Sequence, residues 1–468
     1  MSPQNRYRAR HALLFLLLAV TVAPLAWPQE LEFSVSPSPV GAGARAGGMA
    51  NAFVAVADDA TAASWNPAGL VQLERPEASL VLAYDRLCEE LDFKEQTGGS
   101  GRYLSGGGSV NFLSVAAPFP WLVLGKRVVL ALSYQRKYDF DRDFTLKRAR
   151  TEAGPFGSVL HECRKLRFAQ DGGLATVTPS IAVELTPRLA LGMSVHLWGG
   201  EELGGNAWEQ RIERDGLSLF GTSLGYDRSI WREEYRDFSG ESASIGLLWS
   251  ISPQVRAGIR YDGGFEAEAD YRSTAKSWQW LLPVGGDFRL PRKLPTAKSW
   301  ERRHIRFPDT WAFGLAWQPN DRWTLALDYV LTHWGDFWVK DDAGRKFSLV
   351  DYSPLHHPFR KSDIDSTQTL RFGFEHLFIP ARPGDTLDRL WSVRGGAFYD
   401  EEPATGKPDR FWGLTCGFGV LLNQGVNIDL AYQLRYGNGV NHDFVRGLDR
   451  FEEDVVQHRV LLSTVVYF

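Results

Sequence analysis

Long apolar runs are almost missing from this 468-residue chain: after Ala12 to Val22, near the N-terminus, none is long enough to cross a bilayer as a helix. Cysteine is scarce as well. Three in the whole chain exclude a disulfide framework, and leave open both a Cys88–Cys163 bridge and two free thiols. A net charge of −4 excludes the basic footprint of a nucleic-acid binder. There is no G-x-S-x-G elbow. His356-His357 has no cysteine or carboxylate in metal-binding register, and His196, His376 and His458 fall in strand-like segments, so the chain is expected to be neither an enzyme nor a holder of metal or cofactor. At 44% hydrophobic, with a mean hydropathy of −0.24, the composition by itself would pass for a water-soluble protein.

What is present is alternation. In the last segment Val460, Leu462, Thr464, Val466 and Phe468 share one face of a strand, and Arg459, Leu461, Ser463, Val465 and Tyr467 share the other. Such two-faced segments recur, at about 78–86, 109–117, 128–138, 174–185, 189–198, 242–250, 255–261, 310–318, 323–331, 369–378, 390–399, 411–421, 426–436 and 455–468. That makes about fourteen, with twelve and sixteen left open, in each case an even number that returns both ends to one side. Aromatics, at 13%, suit two membrane interfaces and an apolar ligand route. The expected fold is therefore all-β, a transmembrane antiparallel barrel.

The connections alternate between tight and long. Thr186-Pro187-Arg188, Ser252-Pro253-Gln254, Pro319-Asn320-Asp321 and Asn423-Gln424-Gly425 are turns and are expected on the periplasmic side. Connections at about 199–239, 262–308, 332–366 and 437–454 are expected to be outer loops. The same parity turns Ile428, Leu430 and Tyr432 to lipid and Asp429, Gln433, Arg435, Thr324, Asp328, Arg256, Arg260, Arg371, Glu375, Arg394 and Arg459 to the lumen.

Three regions follow. Residues 1–26, with Arg6, Arg8 and Arg10, the apolar run and Ala23-Pro24-Leu25-Ala26, read as a secretory signal peptide, and the absence of cysteine before Cys88 argues against a lipid anchor. Residues 78–468 form the barrel. Between them, residues 27–77 do not alternate and are crowded with glycine and alanine, which suits a small helical plug and equally a small periplasmic domain or soluble helical lead-in. There Asp58 or Asp59 is placed to cap a short helix, and Asn66-Pro67 to end it.

The string AGGMANAFVAVADDATAASWNPAGL, with its Ala57-Asp58-Asp59-Ala60 and Asn66-Pro67-Ala68 elements, resembles the N-terminal hatch of the FadL/TodX outer-membrane transport proteins. WAFGLAWQPNDRWTLALDYVLTHW, LRFGFEHLF and SVRGGAFYDEEP resemble later strands of the same family; between about Arg86 and Glu241 the similarity is patchy. The resemblance implies a fourteen-stranded barrel in the bacterial outer membrane with a hatch in its lumen, and passive uptake of long-chain fatty acids or aromatic hydrocarbons. It implies capture between the third and fourth outer loops, binding against the hatch, and release through a gap made by a kinked third strand.

Candidate residues follow from that scheme: Asp58, Asp59, Asn66, Pro67 and Ala68 for gating, and Phe53, Phe220, Trp231, Trp278, Trp280, Arg371 and Arg394 for substrate. The third strand has neither glycine nor proline to announce a kink, whereas Pro179 in the fourth removes a ladder donor. A monomer surrounded by outer-membrane lipid is expected. Two other readings are a barrel that shuttles a secreted protein, as in the PorV branch, and an outer-membrane lipid hydrolase.

Overall fold

A computed structural model describes residues 41–468 except 94–100, 124, 154–158, 200–205, 221–222, 284–291, 348–363, 380–387, 405–406 and 441–450. The signal-peptide segment and His356-His357 lie outside the described residues.

Alternating sequence becomes strand almost throughout. The first seven strands are β1 (Glu77–Phe93), β2 (Gly101–Pro118), β3 (Val128–Asp139), β4 (Arg142–Ala153), β5 (Val159–Thr186), β6 (Leu189–Trp198) and β7 (Ala207–Phe220). There follow β8 (Ser223–Ser252), β9 (Val255–Asp262), β10 (Phe265–Pro283), β11 (Arg292–Lys293), β12 (Ala297–Phe307), β13 (Thr310–Asn320) and β14 (Trp323–Thr332). The last are β15 (Trp338–Lys340), β16 (Lys346–Phe347), β17 (Thr367–Phe378), β18 (Arg389–Glu402), β19 (Asp409–Leu422), β20 (Val426–Val440) and β21 (Phe451–Tyr467).

Fourteen of them form the wall, all antiparallel, in the order β1, β2, β3, β5, β6, β8, β9, β13, β14, β17, β18, β19, β20 and β21. The ring closes between the first and the last, paired from Glu77/Tyr467 to Phe93/Phe451. Closure pairs the first strand with the last, so neither end of the sheet is left as an open edge in hydrocarbon. No helix among the described residues is long and apolar enough to cross a membrane.

The two faces differ as the alternation demands. Along β1, Leu80, Leu82 and Tyr84 are 40%, 42% and 52% exposed while Ser79, Val81 and Ala83 between them are buried. In β20, Asp429, Ala431, Gln433 and Arg435 point inward and Ile428, Leu430 and Tyr432 outward. A skin of half-exposed leucines, valines and aromatics carries a large transfer cost in water and none in lipid. His376 and His458 lie on that skin beside Trp323 and Tyr432, and His196 faces inward.

Where they are described, the outer connections 199–239 and 262–308 are largely strand rather than loop, contrary to the expectation. β4, β7, β10, β12, β15 and β16 pair with one another and with extensions of β5 and β8, raising one side of the wall into a tall outer sheet. The reason is that these segments also alternate. One face carries ion pairs, across strands between Arg232 and Glu209 and between Arg228 and Glu213, and along β8 between Arg232 and Glu234. The other carries Trp208, Tyr235, Tyr271, Ile305 and Phe307, which are buried.

That buried face also holds Glu233, in the part of β8 above the rim. Its carboxylate accepts the Tyr271 hydroxyl at 2.6 Å, and the Arg303 guanidinium lies 3.3 Å from the Tyr271 ring centre. Burial pushes the Glu233 carboxyl up to about 7, against the lowering effects of Tyr271 and Arg303. A raised acid favours the folded state while it is protonated. The contribution, at most about 3 kcal/mol, is complete below the ordinary glutamate range and disappears as pH rises through about 7. Amide protection factors in β8, β10 and β12, with the intrinsic pH dependence of exchange divided out, are expected to be higher at pH 5 than at pH 8, and Glu233→Gln is expected to flatten that difference.

Candidate functional site

The lumen is stoppered by residues 41–73. This hatch contains α1 (Ala44–Gly48), α2 (Ala62–Trp65) and a 3-10 turn, Pro67–Gln72. Small residues are required because backbone lies on backbone. A Cβ at Gly192 of β6 would lie 2.2 Å from the Ala68 nitrogen, and one at Gly373 of β17 would lie 2.2 Å from the Met49 carbonyl oxygen. The alanines, Phe53, Trp65 and Leu70 pack as one cluster with inward alanines of the wall.

Two kinds of contact dock it. On one side Arg45 grips Glu375 of β17 with two parallel bonds, at 2.9 and 2.8 Å, and also binds Asp58. Glu375 in turn takes Arg394 of β18 at 2.7 Å, and Arg394 takes Asp429 of β20 at 2.6 Å. On the other side the contacts are largely to neutral groups. The Asn66 amide donates to the carbonyls of Val54 and Leu247, its oxygen accepts from the Ala68 N–H, and Arg260 of β9 donates to the carbonyls of Ser64 and Trp65. Asp59 accepts from the N–H and hydroxyl of Thr61, just ahead of α2, and Asn66 stands at the end of that helix.

Above the hatch lies a cavity. Ser194 of β6 touches the hatch through the Ala63 carbonyl, and His196, one inward step further out, lines the cavity with Ser244 and Asp262. His196 bridges Thr178 and Ser244 at 2.9 and 2.7 Å, and Asp262 is held by Arg260 at 3.0 Å. The roof is aromatic: Tyr138, Trp198, Phe265, Phe307 and Trp334. Phe265 and Phe307 stack at 4.9 Å, and Trp198 and Phe265 at 5.1 Å. Each such pair adds about 1 kcal/mol to what burial alone supplies. The cavity is about 60 Å³, well under the roughly 150 Å³ in which a dry cavity holds benzene. This is a closed arrangement.

One cation stands out. The Lys137 ammonium lines the cavity 5.6 Å from the centre of the Trp198 ring, and no carboxylate or other acceptor binds it among the described residues. The indole N–H of Trp334, also in the lining, has no acceptor there either.

The wall has one incomplete seam. Between β2 and β3 the ladder runs only from Pro118/Val129 up to Phe112/Gln135. Above it β2 is paired with β1 alone, through Gly106-Gly107-Gly108, and β3 carries an extra residue, Lys137, where its register against β5 shifts. Asn111, also an extra residue in its strand, is buried with its side-chain oxygen unpartnered among the described residues. Pro179 does interrupt the β5–β6 ladder, but Thr178–His196 and Ser180–Ser194 hydrogen bonds stitch the break. The third strand thus bends by a bulge, without glycine or proline.

The family model described as outer membrane protein transport protein (OMPP1/FadL/TodX) matches residues 38–443. The chain belongs to that family. Among solved structures, a FadL homologue of Pseudomonas aeruginosa is 15% identical, with TM-score 0.56, covering 92% of this chain and 99% of that one. The Pseudomonas putida toluene transporter TodX is 15% identical, TM-score 0.51, covering 90% and 98%, and the Ralstonia pickettii toluene transporter TbuX is 14% identical, TM-score 0.50, covering 92% and 98%. Identities this low establish the shared fold alone. A comparison with curated proteins found no match. As a member of the OMPP1/FadL/TodX family, the protein is an outer-membrane β-barrel whose strands cross the membrane repeatedly, in a family of channels for hydrophobic compounds rather than of enzymes.

Several candidate substrate residues sit elsewhere than expected. Trp278 and Trp280 pair with Arg228 and Tyr226, on the face of the outer sheet opposite Tyr235, so they point away from the lumen. Trp231 shares the face of Tyr235, but does not line the cavity. The side chain of Phe220 lies outside the described residues. Phe53 is fully buried in the hatch against Trp65, 6.2 Å between ring centres, so no substrate reaches it in this state. Arg394 is consumed by Glu375 and Asp429. Arg371 faces inward with no hydrogen bond or ion pair among the described residues, its nearest acids being Asp328 and Asp400. Cys88, Cys163 and Cys416 are free thiols.

Proposed function

We propose that this protein carries hydrophobic carboxylates, of which long-chain fatty acids are the type, passively across the outer membrane. The observation that carries the reading is the aromatic-roofed cavity above the hatch, in which the Lys137 ammonium lacks a carboxylate partner. A half-buried ammonium whose neighbouring carboxylate, Asp262, is already held by Arg260 carries an unmet cost, and a ligand carboxylate removes it with a charge-assisted hydrogen bond. The Trp334 N–H offers a second donor, and Arg371 a further cation along the lumen. A purely hydrocarbon cargo needs none of these groups.

The route has three steps. A solute enters from the outer sheet and parts the aromatic roof, its carboxyl settles at Lys137 against the hatch, and it leaves sideways between β2 and β3, above Phe112 and Gln135. No energy source enters this scheme. The solute moves down its own gradient, and the hatch keeps water and ions from following.

Titration of the nanodisc-embedded protein with decanoate and with its neutral analogue decanol tests the substrate class. Decanoate is expected to bind at least about tenfold more tightly, a difference of about 1.4 kcal/mol that Lys137→Met removes and Lys137→Arg retains. Equal binding of the two would overturn the carboxylate preference. Binding of neither would overturn the hydrophobic-compound reading as a whole.

A further inference from the structure

We propose that Arg142 is a positioning residue for the wall window, holding its upper edge in the resting state through a buried ionic clip. This rests on the exit route just proposed. The window has a lower edge of backbone ladder, ending at Phe112/Gln135, and above it, among the described residues, no ladder joins β2 to β3 or β4. A strand edge without a ladder must be held by side chains or it drifts.

Arg142 supplies the hold. It is the first residue of β4, just past the inward corner after β3, and its guanidinium reaches behind β2 to two carboxylates: Glu89 of β1 and Glu453 of β21, the latter at 3.1 Å. All three side chains are at most 1% exposed. The clip therefore reaches past β2, tying the β3–β4 corner to the two strands where the ring closes. Aromatic packing continues it. Arg142 lies 5.0 Å from the centre of Phe144, Phe144 stacks on Phe168 at 5.2 Å, and Tyr103 of β2 packs against Phe144 at 6.1 Å. Just below, Asp141 sits against Gly107, where a Cβ would come within 2.8 Å of its carboxylate. Between this upper edge and the ladder, Gly108 to Asn111 face Arg136 to Phe140 with no backbone bonds across. That is the window.

An ion pair buried this completely is a weak source of net stability, because desolvation offsets attraction, but removing one partner alone is strongly destabilising. The informative variant is thus Arg142→Met with Glu89→Gln and Glu453→Gln, which removes the clip and leaves none of its own three groups as a lone buried charge. In a background with Cys88, Cys163 and Cys416 changed to serine, nitroxides at Leu104→Cys and Asp143→Cys report the upper edge. A pair at Leu113→Cys and Leu132→Cys, in the laddered part, is the control.

The expected result is a longer and broader distance distribution for the upper pair in the neutral variant, an unchanged control pair, and faster fatty-acid uptake. An unchanged upper-pair distance would overturn the role of Arg142. If that distance lengthens while uptake stays the same, the clip stands and the β2–β3 exit route fails. A single Arg142→Lys change, which keeps a charge between the same carboxylates, is expected to stay close to the parent in the upper-pair distance, and lengthening as large as in the neutral variant would likewise contradict the clip.

Discussion

Changing Arg45 to Met is expected to turn a closed barrel into a leaking one. Arg45 is the residue through which the hatch is charge-locked to the wall, with two bonds to Glu375 and a third contact to Asp58. Glu375 is 2% exposed, and with Arg45 gone it keeps only Arg394, while Asp58 and Asp59 face each other inside the lumen with no hatch cation. Breaking a buried pair from one side costs about 3 to 5 kcal/mol. Even the lower figure raises the undocked fraction more than a hundredfold. The wall should survive, because its closure along β1 and β21 does not involve Arg45. In planar bilayers the parent is expected to be silent and Arg45→Met to show frequent open events, with Arg45→Lys between them. Silence in all three would mean that close packing at Gly192 and Gly373 docks the hatch without help from charge.

How much of this was legible in the sequence varies by element. The wall was, because a period of two has one reading once charge lies on one face: Asp429, Gln433 and Arg435 can only point away from lipid if Ile428, Leu430 and Tyr432 point toward it. The outer sheet was not. Its segments also alternate, but Trp208, Glu209, Gln210 and Arg211 mix aromatic and charged residues, and a rule that expects long loops outside passes over them. The hatch was marked by its small residues, yet Arg45 was overlooked, since nothing nearby in sequence shows that Glu375 will face it.

The cavity was the hardest part. Tyr138, Trp198, Phe265, Phe307 and Trp334 come from β3, β6, β10, β12 and the turn after β14, and no local pattern unites them. Exposed-looking tryptophans such as Trp278 and Trp280 drew attention instead, and the pairing register turns them to the other face. The exit shows a different limit. The third strand carries neither glycine nor proline and bends by a bulge at Lys137, whereas the readable cue, Gly106-Gly107-Gly108, lies in the second.

Whether solute leaves through the wall is the claim on which the transport scheme depends, and a reversible staple tests it. Gly107 and Asp141 flank the window from β2 and from the β3–β4 corner, a Cβ at Gly107 would come within 2.8 Å of the Asp141 carboxylate, and cysteines at both positions are expected to bridge on oxidation, which thiol titration checks. Gly107 has no positive φ, so a cysteine there needs no unusual backbone. With the other cysteines changed to serine, Gly107→Cys/Asp141→Cys is expected to take up labelled palmitate like the parent when reduced. When oxidised it is expected to fall at least about tenfold while decanoate binding in the cavity is unchanged, since pinning the edge blocks release and leaves the site intact. Undiminished uptake through the oxidised, bridged barrel would contradict a lateral exit and return the pathway to the hatch.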